Sequence, residues 1–231
     1  MNTIKLKFYG NTKIIAHRGL SGLHVENTVS AFKAAGKASY FGIETDVHVT
    51  LDGKFIVFHD DTTKRLSPIN VNVEKTNYAV LRMIPVKLHR MPNLKEYIEC
   101  CKEYGKVAVL ELKNPMKKEH LANIIREIES AGYLDSTVFI SFSAQNLIFI
   151  REIKPDQNVQ FLTDQFNSNV LQLLLENRFD LDINYTSLSS EIIGKCHDNG
   201  IKVNCWTVNE PADAERLIDY GVDYITTNII E

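Results

Sequence analysis

No C-x-x-C spacing occurs in the chain: Cys100, Cys101, Cys196 and Cys205 offer neither a zinc site nor a redox pair and read as free thiols in a reducing compartment. Long apolar runs are also missing. None approaches the roughly 20 residues that span a bilayer, and the opening "MNTIKLKFYGNTK" lacks the apolar centre of a signal peptide. These absences predict a cytoplasmic protein without stable membrane insertion. Lys and Arg do not cluster among aromatics, and 26 basic against 29 acidic side chains leave a net charge of −3. Nothing there argues for a nucleic-acid-binding face. Internal repeats beyond a strand–helix unit, and linkers, are absent too, so residues 1–231 read as a single domain.

What is present is a regular alternation. Strand-like runs fall at 13–19, 42–49, 106–113, 137–143, 158–163, 182–188, 202–208 and 223–228. Helical patterns occupy 27–39, 93–104, 118–132, 146–153, 168–178, 190–200 and 211–221, with Asn27 as the expected N-cap of the first. Gly105, Gly132, Gly200 and Gly221 close several of these helices before the next strand. Eight strands separated by helices over 231 residues predict an α/β fold, the (β/α)8 TIM barrel. The rival doubly wound sheet usually carries a Gly-rich phosphate loop after its first strand, and "HRGLSGLHVENT" (17–28) is not one.

Two departures from a plain barrel are expected. Little chain follows the eighth strand, so an eighth outer helix is short or missing; the barrel surface left open is one a second copy would cover in a homodimer. A further strand-like run, "KFIVFHD" (54–60), follows the Asp52-Gly53 turn and pairs antiparallel with the second strand, because a parallel crossover needs a dozen or more residues. Residues 60–92, with little periodicity, form a loop-rich insertion over the C-terminal mouth.

Function gathers at the C-terminal strand ends of such barrels. Read in order, those ends offer His17 and Arg18, Glu44 and Asp46, Glu111 and Lys113, Phe142, and Trp206. Side chains two apart share a strand face. Hairpin counting brings His59 back roughly opposite Asp46. Three carboxylates converging in a partly dry mouth repel one another, and a hard divalent cation, Mg2+ or Ca2+, resolves this with oxygen ligands. Histidines also suit zinc, but the set is rich in oxygen and lacks a thiolate. Arg18 and Lys113 suit an anionic substrate such as a phosphate, and two histidines can move protons near neutral pH. The residues alone thus reach metal-assisted chemistry at a phosphate ester.

"AHRG" (16–19), "ENT" (26–28), "GIETDVHVT" (42–50), "VFHD" (57–60), "LELK" (110–113), "SFS" (141–143) and "CWTVN" (205–209) follow one another in an order and spacing that resembles the glycerophosphodiester phosphodiesterase family. The chain departs from that pattern at Val25, where the family usually has Pro, and at "MPNLKE" (91–96). The resemblance implies a barrel enzyme that hydrolyses glycerophosphodiesters to sn-glycerol 3-phosphate and an alcohol. It implies Glu44, Asp46 and Glu111 as metal ligands, His17 and His59 as the acid/base pair, Arg18 and Lys113 on the phosphate, and Phe142 and Trp206 walling the glycerol end.

Each motif has a plainer reading. His17 alone is a satisfied strand-end histidine, Glu44 with Asp46 a salt-bridged barrel end, and Trp206 core packing. The functional reading wins because all must otherwise coincide at one mouth. Glu26 is expected at the helix start or on Arg18, outside the site. His48 is expected to face solvent, and His24, His89, His120 and His197 to lie in loops or on helix surfaces. Two other readings remain. One is a lysophospholipase D-like activity, for which "NYAVLRMIPVKLHRM" (77–91) is the only stretch that could supply an apolar rim. The other is a non-catalytic binding barrel, which would be expected to have lost a residue of the set.

Overall fold

The computed structural model describes residues 2–231. In chain order, β1 (Lys13–Ala16), α1 (Val29–Lys37) and β2 (Gly42–Val49) open the molecule. β3 (Phe55–Val57) folds back on β2, and α2 (Tyr78–Leu81), β4 (Pro85–Val86) and β5 (His89–Arg90) follow within the insertion. Then come α3 (Leu94–Tyr104), β6 (Val107–Leu112), α4 (Lys118–Ser130), β7 (Thr137–Ser141), α5 (Ala144–Ile153) and β8 (Val159–Thr163). The last third holds α6 (Ser168–Asn177), β9 (Asp180–Asn184), α7 (Ser190–His197), β10 (Val203–Trp206), α8 (Pro211–Asp219) and β11 (Tyr224–Thr227).

β1, β2 and β6 to β11 pair in parallel, and β1 joins both β11 and β2, so the sheet closes on itself as a TIM barrel. Alternation along the strands explains why. Ile15, Val109, Ile140 and Leu162 form one buried cluster with Val107, Val138 and Tyr224 around it. Their strand neighbours Ala16, Ala108, Leu110, Phe139, Leu181, Val203 and Ile225 join the larger core with helix residues such as Phe32, Leu121, Ile150, Leu174 and Leu217. Each strand therefore buries both faces, as a parallel sheet requires. No helix follows β11 among the described residues; Ile230 instead bridges to Ile4.

The hairpin also forms. β3 runs antiparallel to β2 with Val47 opposite Val57, and the turn uses Gly53 at φ 69°. Residues 60–92 are not structureless. Phe58, Val73, Leu81, Ile84, Val86 and Met91 make a separate apolar cluster with Ile56 of β3. Its elements are two to four residues long, too short to leave a period in the sequence.

Three local expectations need correction. The strand expected at 182–188 is β9, and Tyr185–Ser187 turns instead into a 3-10 helix whose start is capped by Asn184. β1 ends at Ala16, because Arg18 and Gly19 take left-handed backbone angles, φ 54° and 75°. The N-cap of α1 is Thr28, whose hydroxyl accepts from the Ala31 N–H, and not Asn27, which is itself at φ 54° and turned inward.

Gly19 packs so closely that an added Cβ would lie 2.6 Å from the Ala31 carbonyl carbon. Positive φ and backbone contact together demand glycine here. Gly19→Ala is expected to lower the unfolding free energy by about 2–4 kcal/mol, read from urea unfolding; an unchanged midpoint would show that the turn relaxes freely.

Candidate active site

β2 and β6 lie side by side in register, with Asp46 opposite Glu111 and Glu44 opposite Val109. Glu44, Asp46 and Glu111 therefore share one inward face at the C-terminal end of the barrel. Each offers a carboxylate oxygen within 4.8 Å of the others, and all three are buried. A shallow cavity of about 120 Å3 opens above them. His17, Arg18, Glu44, His59, Glu111, Lys113, Phe142 and Trp206 line it. Asp46, the ninth residue expected there, lies beneath its floor, 1% exposed. A larger groove of about 900 Å3 runs along α3 and α4, lined by solvent-facing Lys95, Glu99, Lys102 and Arg126. Among the described residues it gathers no cluster of buried ionisable groups, so the mouth is the candidate site.

Two cations hold the carboxylates. Arg18 Nε lies 3.5 Å from Asp46 Oδ2, and its backbone N–H donates to Glu44 Oε2 at 2.8 Å. The left-handed turn at Arg18 is what aims that N–H inward. Lys113 Nζ donates to Glu111 Oε1 at 2.7 Å and stands 3.4 Å from Asp46 Oδ1. Burial opposes the Asp46 charge, yet Lys113 and Arg18 outweigh it and hold its carboxyl well below the usual range. Burial, then the nearby Asp46 and Glu111 charges, pushes Glu44 well above its ordinary value. Burial and Asp46 likewise raise Glu111, to about 7, against the pull of Lys113.

The histidines are each fixed at Nδ1. His17 Nδ1 donates to Asn228 Oδ1 at 2.7 Å, and its Nε2 lies 3.9 Å from Glu44 Oε2. Burial first, then the charge of Arg18, lowers its pKa to about 4. His59 Nδ1 lies 2.6 Å from Asp60 Oδ1. Burial lowers its pKa, opposed by Asp46 and Asp60. Asp60 is in turn gripped by Arg65 Nε at 2.7 Å, and Arg65 also reaches Glu26. Phe142 meets Trp206 edge to face, 5.8 Å between ring centres, along one side of the cavity.

The expectation for His48 is overturned. It is fully buried, with Nδ1 2.9 Å from Glu74 Oε1 and Nε2 3.3 Å from the His59 carbonyl oxygen. The insertion covers that face of the hairpin, which sequence spacing alone does not reveal. Glu26 binds Arg18 at 2.8 Å and stays out of the cavity lining. His24, His89, His120 and His197 do not line the cavity either.

Sequence reasoning missed four contributors. Asn27 donates to Asp46 Oδ2 at 2.7 Å and accepts from Thr45 at 2.6 Å. Two cap-type residues in succession, Asn27 and Thr28, were the available signal, since one helix start uses only one cap. Asn228 directly follows β11 and Asp60 lies three residues beyond β3, positions from which both could have been anticipated. Asp182 of β9 also lines the cavity.

A donor set of three buried carboxylates fits a hard divalent cation. Asp46 Oδ1 supports the fit from the geometry itself, being buried without a hydrogen-bond partner. Acidic oxygens and fixed cations at the C-terminal mouth of a parallel barrel define a hydrolase of anionic esters.

The sequence from residue 17 to residue 231 matches the glycerophosphoryl diester phosphodiesterase family, and the chain belongs to it. A glycerophosphodiester phosphodiesterase of Caldanaerobacter subterraneus subsp. tengcongensis is 28% identical over 94% of this chain and 94% of its own. Human lysophospholipase D is 26% identical, covering 94% of this chain and 83% of that one. Among solved structures, an Oleispira antarctica phosphodiesterase in complex with the product sn-glycerol-3-phosphate superposes with a TM-score of 0.88 at 25% identity, over 94% of this chain and 92% of that one.

The raised carboxyl groups make cation binding compete with protons. Glu111 holds its proton below about pH 7 and releases it above, so affinity rises with pH. Titration calorimetry with a divalent cation is expected to show tighter binding and fewer protons released on going from about pH 6 to about pH 8. Affinity flat across that interval would mean the carboxyl groups are already ionised without the ion.

Proposed function

We propose that the protein hydrolyses glycerophosphodiesters to sn-glycerol 3-phosphate and an alcohol by two-histidine acid/base catalysis at a cation-bound phosphate. The observation that carries this reading is the convergence of Glu44, Asp46 and Glu111 with both cations and both histidines on one small cavity. Glu44, Asp46 and Glu111 would hold one divalent cation, Mg2+ or Ca2+. That ion would offset the phosphate charge and make its phosphorus more electrophilic. Arg18 and Lys113 orient the phosphate oxygens, and Phe142 with Trp206 walls the glycerol end.

His17, its proton committed at Nδ1 to Asn228, leaves Nε2 unprotonated and free to accept a proton. It accepts the proton of the substrate's own 2-hydroxyl as that oxygen attacks phosphorus. The phosphorus–oxygen bond to the alcohol breaks, and His59 Nε2 gives its proton to the departing oxygen. Asp60, 2.6 Å from His59 Nδ1, orients the ring for the acid role, and with Asp46 it opposes the lowering of the His59 pKa by burial, Arg18 and Lys113. Water then opens the cyclic phosphate with the two roles exchanged, leaving glycerol 3-phosphate. Residues 60–92 stand on the side of His48 and Asp60, where they would shape the room for the leaving alcohol.

A lipid diester is the second reading, favoured by Val80, Met83 and Leu88, exposed at 43%, 76% and 98% within the 77–91 stretch. One assay separates the two. Protein stripped with EDTA and reloaded with Mg2+ or Ca2+ is expected to release glycerol 3-phosphate from glycerophosphocholine and glycerophosphoethanolamine. His59→Ala should lower turnover by about 10²–10⁴-fold, and Glu44→Gln should abolish the metal response. Cleavage of lysophosphatidylcholine alone would move the assignment to lipids, and silence on all diesters from folded, metal-loaded protein would refute it.

A further inference from the structure

Arg65 lies outside the cavity, yet it joins two sides of the mouth. It ends the short 3-10 turn Thr63–Arg65 within the insertion. Its guanidinium makes two forks. Nη1 and Nη2 donate to Glu26 Oε2 and Oε1 at 2.8 and 2.7 Å. Nε and Nη2 donate to Asp60 Oδ2 and Oδ1 at 2.7 and 3.1 Å. Glu26 Oε1 also accepts from Arg18 Nη1 at 2.8 Å, and Asp60 Oδ1 lies 2.6 Å from His59 Nδ1. One chain of charged groups, Arg18–Glu26–Arg65–Asp60–His59, therefore runs around the rim. Its ends, Arg18 and His59, line the cavity, and its three middle members do not.

Stability does not account for this arrangement. The Arg65 side chain is 45% exposed, and ion pairs so exposed contribute little to folding. The insertion is already held by its own apolar cluster, against which Leu66 packs. Two planar forks instead fix direction, which a point charge cannot do. Among the described residues, Asp60 is the one hydrogen-bond partner of the His59 ring. Burial opposes the Asp60 charge, but hydrogen bonds from Arg65 and His59 outweigh it and hold that carboxyl below its ordinary range. An ionised carboxylate only accepts, so it takes the Nδ1 proton of His59 and leaves Nε2 for the substrate.

We propose that Arg65 is a positioning residue: through Asp60 it sets the direction of the His59 ring, and through Glu26 it ties that direction to Arg18. This role rests on the reading of His59 as the acid that protonates the departing alcohol. Loss of Arg65 would leave Arg18 paired with Glu26 but free Asp60 to turn. The step that suffers is then proton delivery to the leaving oxygen, more than binding of the phosphate.

Two leaving groups test this in metal-loaded protein. Choline departs from glycerophosphocholine as an alcohol and needs a proton; p-nitrophenolate departs from the p-nitrophenyl ester of glycerol 3-phosphate without one. Arg65→Gln is expected to lower kcat on glycerophosphocholine by about tenfold or more, and on the nitrophenyl ester by less than about threefold. Arg65→Lys keeps the charge but not the forks and should lose nearly as much. Equal loss on both esters marks a structural role and overturns the assignment, as does full activity of either variant on glycerophosphocholine. His59→Ala should show the same selective loss. With His59→Ala selective and Arg65→Gln not, the positioning role fails and the acid assignment stands; if His59→Ala loses both esters equally, both fall. The proton resonance of His59 Nδ1 gives a readout without turnover, expected in wild type and broadened or lost by exchange in Arg65→Gln. A resonance unchanged in that variant also overturns the role. Wild type that cleaves neither ester, with the resonance lost in Arg65→Gln, would count against the phosphodiesterase reading alone.

Discussion

Three carboxylates within 4.8 Å of one another in a buried mouth set the terms for everything around them. At that separation each like-charged pair opposes folding by on the order of 4 kcal/mol at an effective dielectric of about 20. Arg18 and Lys113 offset part of this, and their contacts with Asp46 keep one carboxylate ionised. Two cations against three acids leave a deficit of positive charge. That deficit and burial push Glu44 and Glu111 upward, so both hold a proton more tightly than a free carboxyl group, and a divalent cation would compete with those protons.

The local backbone follows from the same constraint. Arg18 and Asn27 both adopt positive φ, an arrangement non-glycine residues usually avoid. In return the Arg18 N–H meets Glu44 and the Asn27 amide meets Asp46. Gly19 lets the chain between them lie against α1. Strain and close packing here are spent on aiming donors at acids, which is where such outliers are expected to concentrate. On the other flank, Arg65 and Glu74 of the insertion tie down Asp60 and His48, so the loop carrying His59 is held from two directions.

What could be read from the sequence was whatever depends on period two along a strand and on order along the chain. Glu44 and Asp46, Glu111 and Lys113, and the return of His59 are consequences of those rules, and eight strands with intervening helices named the barrel. Contacts between segments far apart in sequence were not legible. His48 looks solvent-facing until Glu74, 26 residues on, is folded over it. Asn27 looks like a cap because its partner Asp46 lies across the mouth. Asp182 sits in "DLDIN", where an acid two residues from another reads as an ordinary strand edge; only barrel closure turns it inward beside Trp206.

The dry barrel interior beneath the mouth links these features. Ile15, Val109, Ile140 and Leu162 form an apolar cluster there, and buried Gln160, Asn204 and Thr226 satisfy one another by hydrogen bonds. Were that interior wet, Glu44, Glu111 and His17 would be less strongly shifted, since burial is the first cause of each shift. Exclusion of water is what makes every charge above consequential, because interactions strengthen and unpaired groups become costly in the same step. The larger outer groove illustrates the converse. Lys95, Glu99 and Arg126 there face solvent, which screens them, and volume without desolvation gives such groups little leverage on a substrate.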